Sequence, residues 1–178
     1  MSISMFIELG GIVAYILIIM SIIGITTIAW KSLTLWKFNA KIKLDLPNFI
    51  IEKIIKENPD HHILMESIRS EIVMSFRPLY RGLTTIENIA SSAPLLGLLG
   101  TVIGIFEAFS QIVKVGMDDP SIFADGIRMA LVTTVIGLVV AIPHVIAFNY
   151  LSNRLEIEED QVENDVLKHL VKHLKEKS

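Results

Sequence analysis

Three stretches of this chain are long and apolar enough to cross a lipid bilayer, and this limits its fold more than any other feature. A hydrocarbon core takes about 20 helical residues. In lipid each backbone N–H and C=O needs a partner inside the segment, so the stretches read as helices. The first runs from about residue 9 to 29 without a charge, the second from about 89 to 113 with Glu107 as its only charge, and the third from about 127 to 151 with Arg128 at its mouth. Between the last two, KVGMDDPSIFADG is rich in Gly, Asp and Pro and reads as a turn closing an antiparallel hairpin. The expected fold class is an all-α integral membrane protein with three transmembrane helices, and a mean hydropathy of +0.56 agrees.

The first stretch is about twice as long as a secretory h-region, and residues 1 to 8 carry no Lys or Arg, so it reads as a span and not as a signal peptide. Lys31, Lys37, Lys41 and Lys43 follow it, and Arg77 and Arg81 precede the second span. The positive-inside rule then predicts an outer N-terminus and a cytoplasmic tail, with Trp30 and Trp36 at the inner interface. The expected segments are an N-terminal transmembrane helix over 1–30, a cytoplasmic helical region over 31–88, a transmembrane hairpin over 89–151 and a cytoplasmic C-terminal helix over 152–178.

In the polar segments, DLPNFIIEKIIKENP offers Asp45 as an N-cap, apolar residues at 46, 50, 51, 54 and 55, and an Asn-Pro stop at 58 and 59. A second amphipathic run passes through Ile63, Leu64, Ile68, Ile72 and Val73 until Arg77-Pro78. The tail keeps Leu151, Leu155, Val162, Val166, Leu170 and Leu174 near one stripe, with acids first and lysines last, as suits a helix macrodipole. A net charge of -3 leaves no basic surplus for nucleic acid, and the absence of cysteine removes thiol chemistry and Cys-based zinc sites. His61-His62 and the His169, His173 pair lack an evident third metal ligand and read as surface histidines. Ser91 and Ser92 have no GxSxG elbow around them, and no nucleophile, histidine and acid are arranged for catalysis, so neither an enzyme nor a resident cofactor is expected.

Each hairpin span has one face of small residues. Gly97, Gly100, Thr101, Gly104 and Ala108 follow helical spacing in the second span, as do Ala130, Thr134, Gly137 and Ala141 in the third. Small residues let helices approach closely in lipid, where van der Waals packing replaces the hydrophobic drive. A lone threonine in such a helix back-bonds to its own i−4 carbonyl and means little. The pair says more: Thr101 lies about 12 residues into the second span and Thr134 about 17 from the inner end of the third, so at about 1.5 Å per residue both fall in the middle of the bilayer.

Glu107 has two readings. An ionisable group in a span costs about 2.5 kcal/mol or more at the centre and marks a functional site by default, yet near the outer end it can snorkel to the interface. Arg128 is placed to pair with Glu107, Asp118, Asp119 or Asp125. His144 follows Pro143, whose ring frees a carbonyl and kinks a helix, as Pro94 does in the second span; the histidine reads as a structural group or as a proton relay.

APLLGLLGTVIGIFEAF (93 to 109) followed by GIRMALVTTVIGLVVAIPHVIAFN (126 to 149) resembles the core hairpin of the ExbB/TolQ proteins, in the larger family that includes the flagellar stator MotA. The likeness covers most of residues 85 to 151. It implies an inner-membrane stator subunit of a proton-driven motor: a pentamer whose second and third spans line a pore around a dimer of a single-span ExbD/TolR-type partner, which carries the aspartate that moves the proton. It also implies a TonB- or TolA-type transducer as the recipient of the work. By this resemblance Thr101 and Thr134, not Thr133, match the family's pore threonines, and Glu107 is a further candidate on the proton path. The small residues would let subunits and partner helices pack.

The chain departs from the family pattern at Met129, where ExbB and TolQ carry a glutamate, and at His144, where many relatives have alanine. Three spans and no large cytoplasmic insert favour the ExbB/TolQ branch over MotA. The rival expectations are a passive membrane scaffold, whose threonines only pack, and an autonomous small channel, for which Glu107 is the one strong candidate for a charged ring.

Overall fold

Helices alone make up the regular structure of the described residues, which in this computed structural model are 9–57, 61–116 and 120–176. Four are defined there: α1 (Gly11–Glu57), α2 (His61–Tyr80), α3 (Leu83–Val115) and α4 (Pro120–Glu176). Three contain candidate spans, Gly11–Trp36, Leu83–Lys114 and Phe123–Lys172.

The helices run further than local signals suggest. Asp45 does not cap a new helix, because α1 continues through it and through Pro47 to Glu57. Pro78 does not end α2, which reaches Tyr80. Pro94 lies inside α3 and Pro143 inside α4. A proline removes one i−4 hydrogen bond, yet α1 continues past Pro47, with Ile50 and Ile54 buried after it. The stops come from glycines in the left-handed region: Gly82 (φ 90) follows α2, and Gly116 (φ 86) follows α3. Gly116 donates its N–H to the Ile112 carbonyl at 2.9 Å, the single 5→1 bond of an αL cap. The hairpin turn is therefore shorter than KVGMDDPSIFADG, since α4 already starts at Pro120, where proline's fixed φ suits a first helical position.

The chain divides into two compact units, Met1–Ile28 with Thr85–Phe148, and Ala29–Thr84 with Asn149–Ser178. In the first unit the core consists of Val13 and Leu17 of α1, Ile89 and Ala93 of α3, and Val140 and Ala141 of α4, with Met20, Leu96, Ile103 and Ile136 against it. Only 22%, 33% and 33% of the three span windows are buried, so most of their apolar surface faces outward, as suits helices surrounded by lipid or by other apolar helices.

The second unit buries an apolar stripe from each of its helices. Ile50 and Ile54 of α1, Ile68, Ile72, Phe76 and Leu79 of α2, and Leu151, Leu155, Val162, Val166 and Leu170 of α4 are buried. The expected stripes hold except at Val73, which is exposed; Ile55, Ile63 and Leu174 lie outside the described side chains. Lys53 pairs with Glu71 at 2.7 Å, Arg69 with Glu163 at 3.6 Å, and the Tyr80 hydroxyl donates to Glu159 at 2.8 Å. Burial, with Glu159 next and then Glu156 and Asp160, pushes the Tyr80 phenol well above its ordinary range.

Candidate functional site

The second and third spans meet through their small faces inside one chain. A Cβ on Gly97 would lie 3.0 Å from the Thr133 carbonyl oxygen, one on Gly104 2.9 Å from that of Gly126, and one on Gly137 2.7 Å from that of Ala93. At Gly100 it would fall 2.6 Å from Thr133 Cβ and Oγ1. Each of these glycines thus admits a neighbouring backbone or side chain that any larger residue would displace. Ala108, Ala130 and Ala141 are buried as well, with Ala108 against Gly126.

This close approach brings two hydroxyls together. Thr101 Oγ1 and Thr134 Oγ1 are in direct hydrogen-bond contact. Thr101 Oγ1 also lies 3.0 Å from the Ala130 carbonyl across the hairpin and 3.2 Å from its own i−4 carbonyl at Gly97. Thr134 Oγ1 reaches the Gly97 carbonyl at 3.5 Å. Each hydroxyl has one hydrogen to donate and can also accept. In one orientation Thr134 donates to Thr101 and Thr101 donates to Ala130; in the other Thr101 donates to Thr134 and Thr134 makes the long bond to Gly97. The pair can reverse its donor direction without moving a heavy atom. Both residues are half-buried.

Thr133 does something different. It is fully buried, fills the notch at Gly100 and donates to the Ala130 carbonyl at 2.9 Å. Glu107 is exposed, and among the described residues the threonines' hydrogen bonds do not reach it. Arg128 pairs at 3.8 Å with Asp125, one helical turn away; Asp118 and Asp119 lie outside the described residues. Met129 places its Cε 3.2 Å from where a Gly11 Cβ would be, so the end of this side chain packs against Gly11 of α1. His169 is exposed, and no cluster of three or more His, Cys, Asp or Glu forms among the described residues.

Residues 41–164 match the model of the MotA/TolQ/ExbB proton channel family. The chain belongs to that family. It is 30% identical over 182 residues to an ExbB homolog, described as a biopolymer transport protein, of Methanothermobacter thermautotrophicus, covering 86% of this chain and 64% of that protein. It is 37% identical over 99 residues to the biopolymer transport protein ExbB of Neisseria gonorrhoeae, covering 56% and 45%. With ExbB of Aquifex aeolicus the identity is 38% over 96 residues, covering 50% and 65%. The chain spans less than two thirds of the length of each of these relatives.

Three residues that matter for packing within one unit or the other are not singled out by the sequence reading. Gly126 sits in what reads as a turn, yet a Cβ there would fall 2.5 Å from Ala108 Cβ; its place four residues before Ala130 is the signal that could have found it. Gly24 of α1 gives room to the buried ring of His144. Lys31 is buried and donates to the Leu79 and Pro78 carbonyls. The last two had no local signal, because their partners are on other helices.

Proposed function

We propose that this chain is the wall subunit of an inner-membrane, proton-driven stator of ExbB/TolQ type, with its N-terminus periplasmic and residues 31 to 88 and the tail cytoplasmic. Five copies enclose the membrane helices of a dimer of a single-span ExbD/TolR-type partner, and the complex couples proton entry to a TonB- or TolA-type transducer. The observation that carries the reading is the Thr101–Thr134 hydroxyl pair, whose donor direction can reverse inside the hairpin. One charge crossing the membrane potential releases about 2.3 kcal/mol per 100 mV. A moving partner can use that energy only if its contacts with the wall differ between states, and a reversible hydroxyl pair offers such contacts.

A second reading, a passive membrane scaffold, is favoured by a specific observation: Gly97, Gly100, Gly104 and Gly137 are all engaged in packing within one chain, and the threonines can be part of that seam. Native mass spectrometry of the detergent-solubilised chain, alone and co-expressed with a neighbouring single-span partner, separates the two. A 5:2 complex whose proton flux in vesicles is lost in Thr134→Val supports the stator. A monomer or dimer that ignores the partner supports the scaffold. Conduction by this chain alone would instead make it an autonomous channel.

A further inference from the structure

The hydroxyls of Thr101, Thr133 and Thr134 share the carbonyl oxygens of Gly97 and Ala130. Thr101 Oγ1 lies 3.0 Å from the Ala130 oxygen, and Thr133 Oγ1 lies 2.9 Å from the same atom. A carbonyl oxygen has two lone pairs. Within α4 one of them takes the Thr134 N–H, the i+4 donor of the helix ladder. A single lone pair is left for both hydroxyls. Thr133 is fully buried, and Ala130 is the acceptor its hydroxyl reaches among the described residues. Deprived of it, that hydroxyl would be buried and unsatisfied. Thr101 has other choices: its own i−4 carbonyl at Gly97, at 3.2 Å, and the hydroxyl of Thr134. The residue without an alternative keeps Ala130, and Thr101 yields.

With Ala130 taken, both donor directions of the Thr101–Thr134 pair end on one atom. When Thr134 donates to Thr101, Thr101 passes its hydrogen to the Gly97 carbonyl at 3.2 Å; when Thr101 donates to Thr134, Thr134 makes the 3.5 Å approach to the same carbonyl. Gly97 gives one lone pair to the Thr101 N–H within α3 and keeps the other for whichever hydroxyl turns to it. The two directions then share an acceptor and differ little. Were Ala130 free, the direction in which Thr101 donates across the hairpin at 3.0 Å would gain the shorter bond and prevail.

We propose that Thr133 is a positioning residue of the hydroxyl pair: its bond to Ala130 withholds that carbonyl from Thr101 and keeps the pair reversible between two directions that share Gly97. Thr133 acts only through the acceptor it occupies. This role needs its hydroxyl, whereas filling the notch at Gly100 needs only its volume. The positioning stands without the stator reading; its effect on proton flux rests on that reading.

Ala130–Leu131 is the one Ala-Leu peptide in the sequence, so carbon-13 at alanine carbonyls and nitrogen-15 at leucine isolate the Ala130 carbonyl in solid-state NMR of the full chain in lipid. A carbonyl carbon moves upfield when it loses a hydrogen bond. Thr133→Val keeps the volume and should leave the Ala130 shift near its native value, because Thr101 takes the vacated lone pair. Thr101→Val alone should also leave it there, because Thr133 still holds Ala130. Both changes together should move it upfield, a non-additive pattern that packing alone does not produce. Thr133→Ala, smaller in the Gly100 notch, should repeat the pattern with and without Thr101→Val. An upfield move in Thr133→Val and Thr133→Ala as large as in the double variants would overturn the proposal, since Thr101 would not have taken over. So would an upfield move in Thr101→Val alone, since Thr101 would already have held Ala130. In the co-expressed complex Thr133→Val should cause a severalfold loss of proton flux that Thr133→Ser avoids. Unchanged flux beside the expected shift pattern would count against the stator reading and leave the positioning supported.

Discussion

The ammonium of Lys31 donates to the Leu79 carbonyl at 2.8 Å, joining residues 48 apart in sequence, and approaches the Pro78 carbonyl at 3.4 Å. These are among the last carbonyls of α2, which have no partner within their own helix. A cation there also meets the negative end of the helix dipole. Hydrogen bonds to a charged group are worth about 1.5–3 kcal/mol. Lys31→Ala should therefore lower stability by about 2 kcal/mol, read from thermal unfolding in detergent; a change below about 0.5 kcal/mol would mean that water replaces the cap.

Thr133 packs so closely on Gly100 in the hairpin seam that a Cβ on the glycine would lie 2.6 Å from Thr133 Cβ and Oγ1. Overpacking of this kind costs about 1–3 kcal/mol. Gly100→Ala should destabilise the chain by that amount, and Thr133→Ala in the same background should recover more than half of the loss. Simple additivity of the two changes would show that the clash is relieved elsewhere.

The three spans and the small-residue seam were legible in the sequence because each is a local pattern: length and hydropathy for the spans, spacing of three and four for Gly97, Gly100, Gly104 and their counterparts. What escaped depends on pairs of helices. A lysine just after a span reads as an inside charge, and nothing near Lys31 announces Leu79. Gly24 sits among isoleucines, and only the imidazole from α4 explains it. Asp45 reads as a helix start and Pro78 as a break because local propensity is all that the sequence displays there; packing of Ile50, Ile54 and Leu79 overrides it. Asp125 is one of four acids the sequence offers to Arg128, and only the helix that starts at Pro120 places it one turn away.

The stator reading distinguishes hydroxyl from shape at the paired site. Thr101→Ser keeps the oxygen that meets Thr134 and should retain proton flux within a few fold, whereas Thr101→Val keeps the volume and should lose at least about tenfold, equivalent to about 1.4 kcal/mol of barrier. Flux of the co-expressed complex in vesicles is the readout. Equal flux from both variants would remove the hydroxyl from the proton path.

Near the start of α4, Arg128 and Asp125 are a partly exposed pair at 3.8 Å. Such pairs contribute about 0–1 kcal/mol. Asp125→Asn should leave the unfolding temperature almost unchanged. A loss above about 2 kcal/mol, beyond the range for exposed pairs, would show that Asp125 has a partner in an assembly.

Tyr80 gives the alkaline limb of stability a defined sign. Its phenol is held protonated by burial first and by Glu159, Glu156 and Asp160 after it, whereas an unfolded tyrosine ionises near about pH 10. A raised folded value means that its contribution is fully present below pH 10 and fades as pH climbs beyond that, because only the unfolded chain then gives up the proton. Tyr80→Phe removes both the titration and the 2.8 Å bond to Glu159. Near pH 7 the variant should be less stable by about 1 kcal/mol, the net value of one hydrogen bond. Above pH 10 its disadvantage should shrink, since the native chain is losing what the variant never had. Unfolding measured at pH 7, 9 and 10.5 checks both parts. A gap between the two proteins that stays constant across that range would show that Tyr80 ionises equally in the folded and unfolded chain, and that water, not Glu159, sets its protonation.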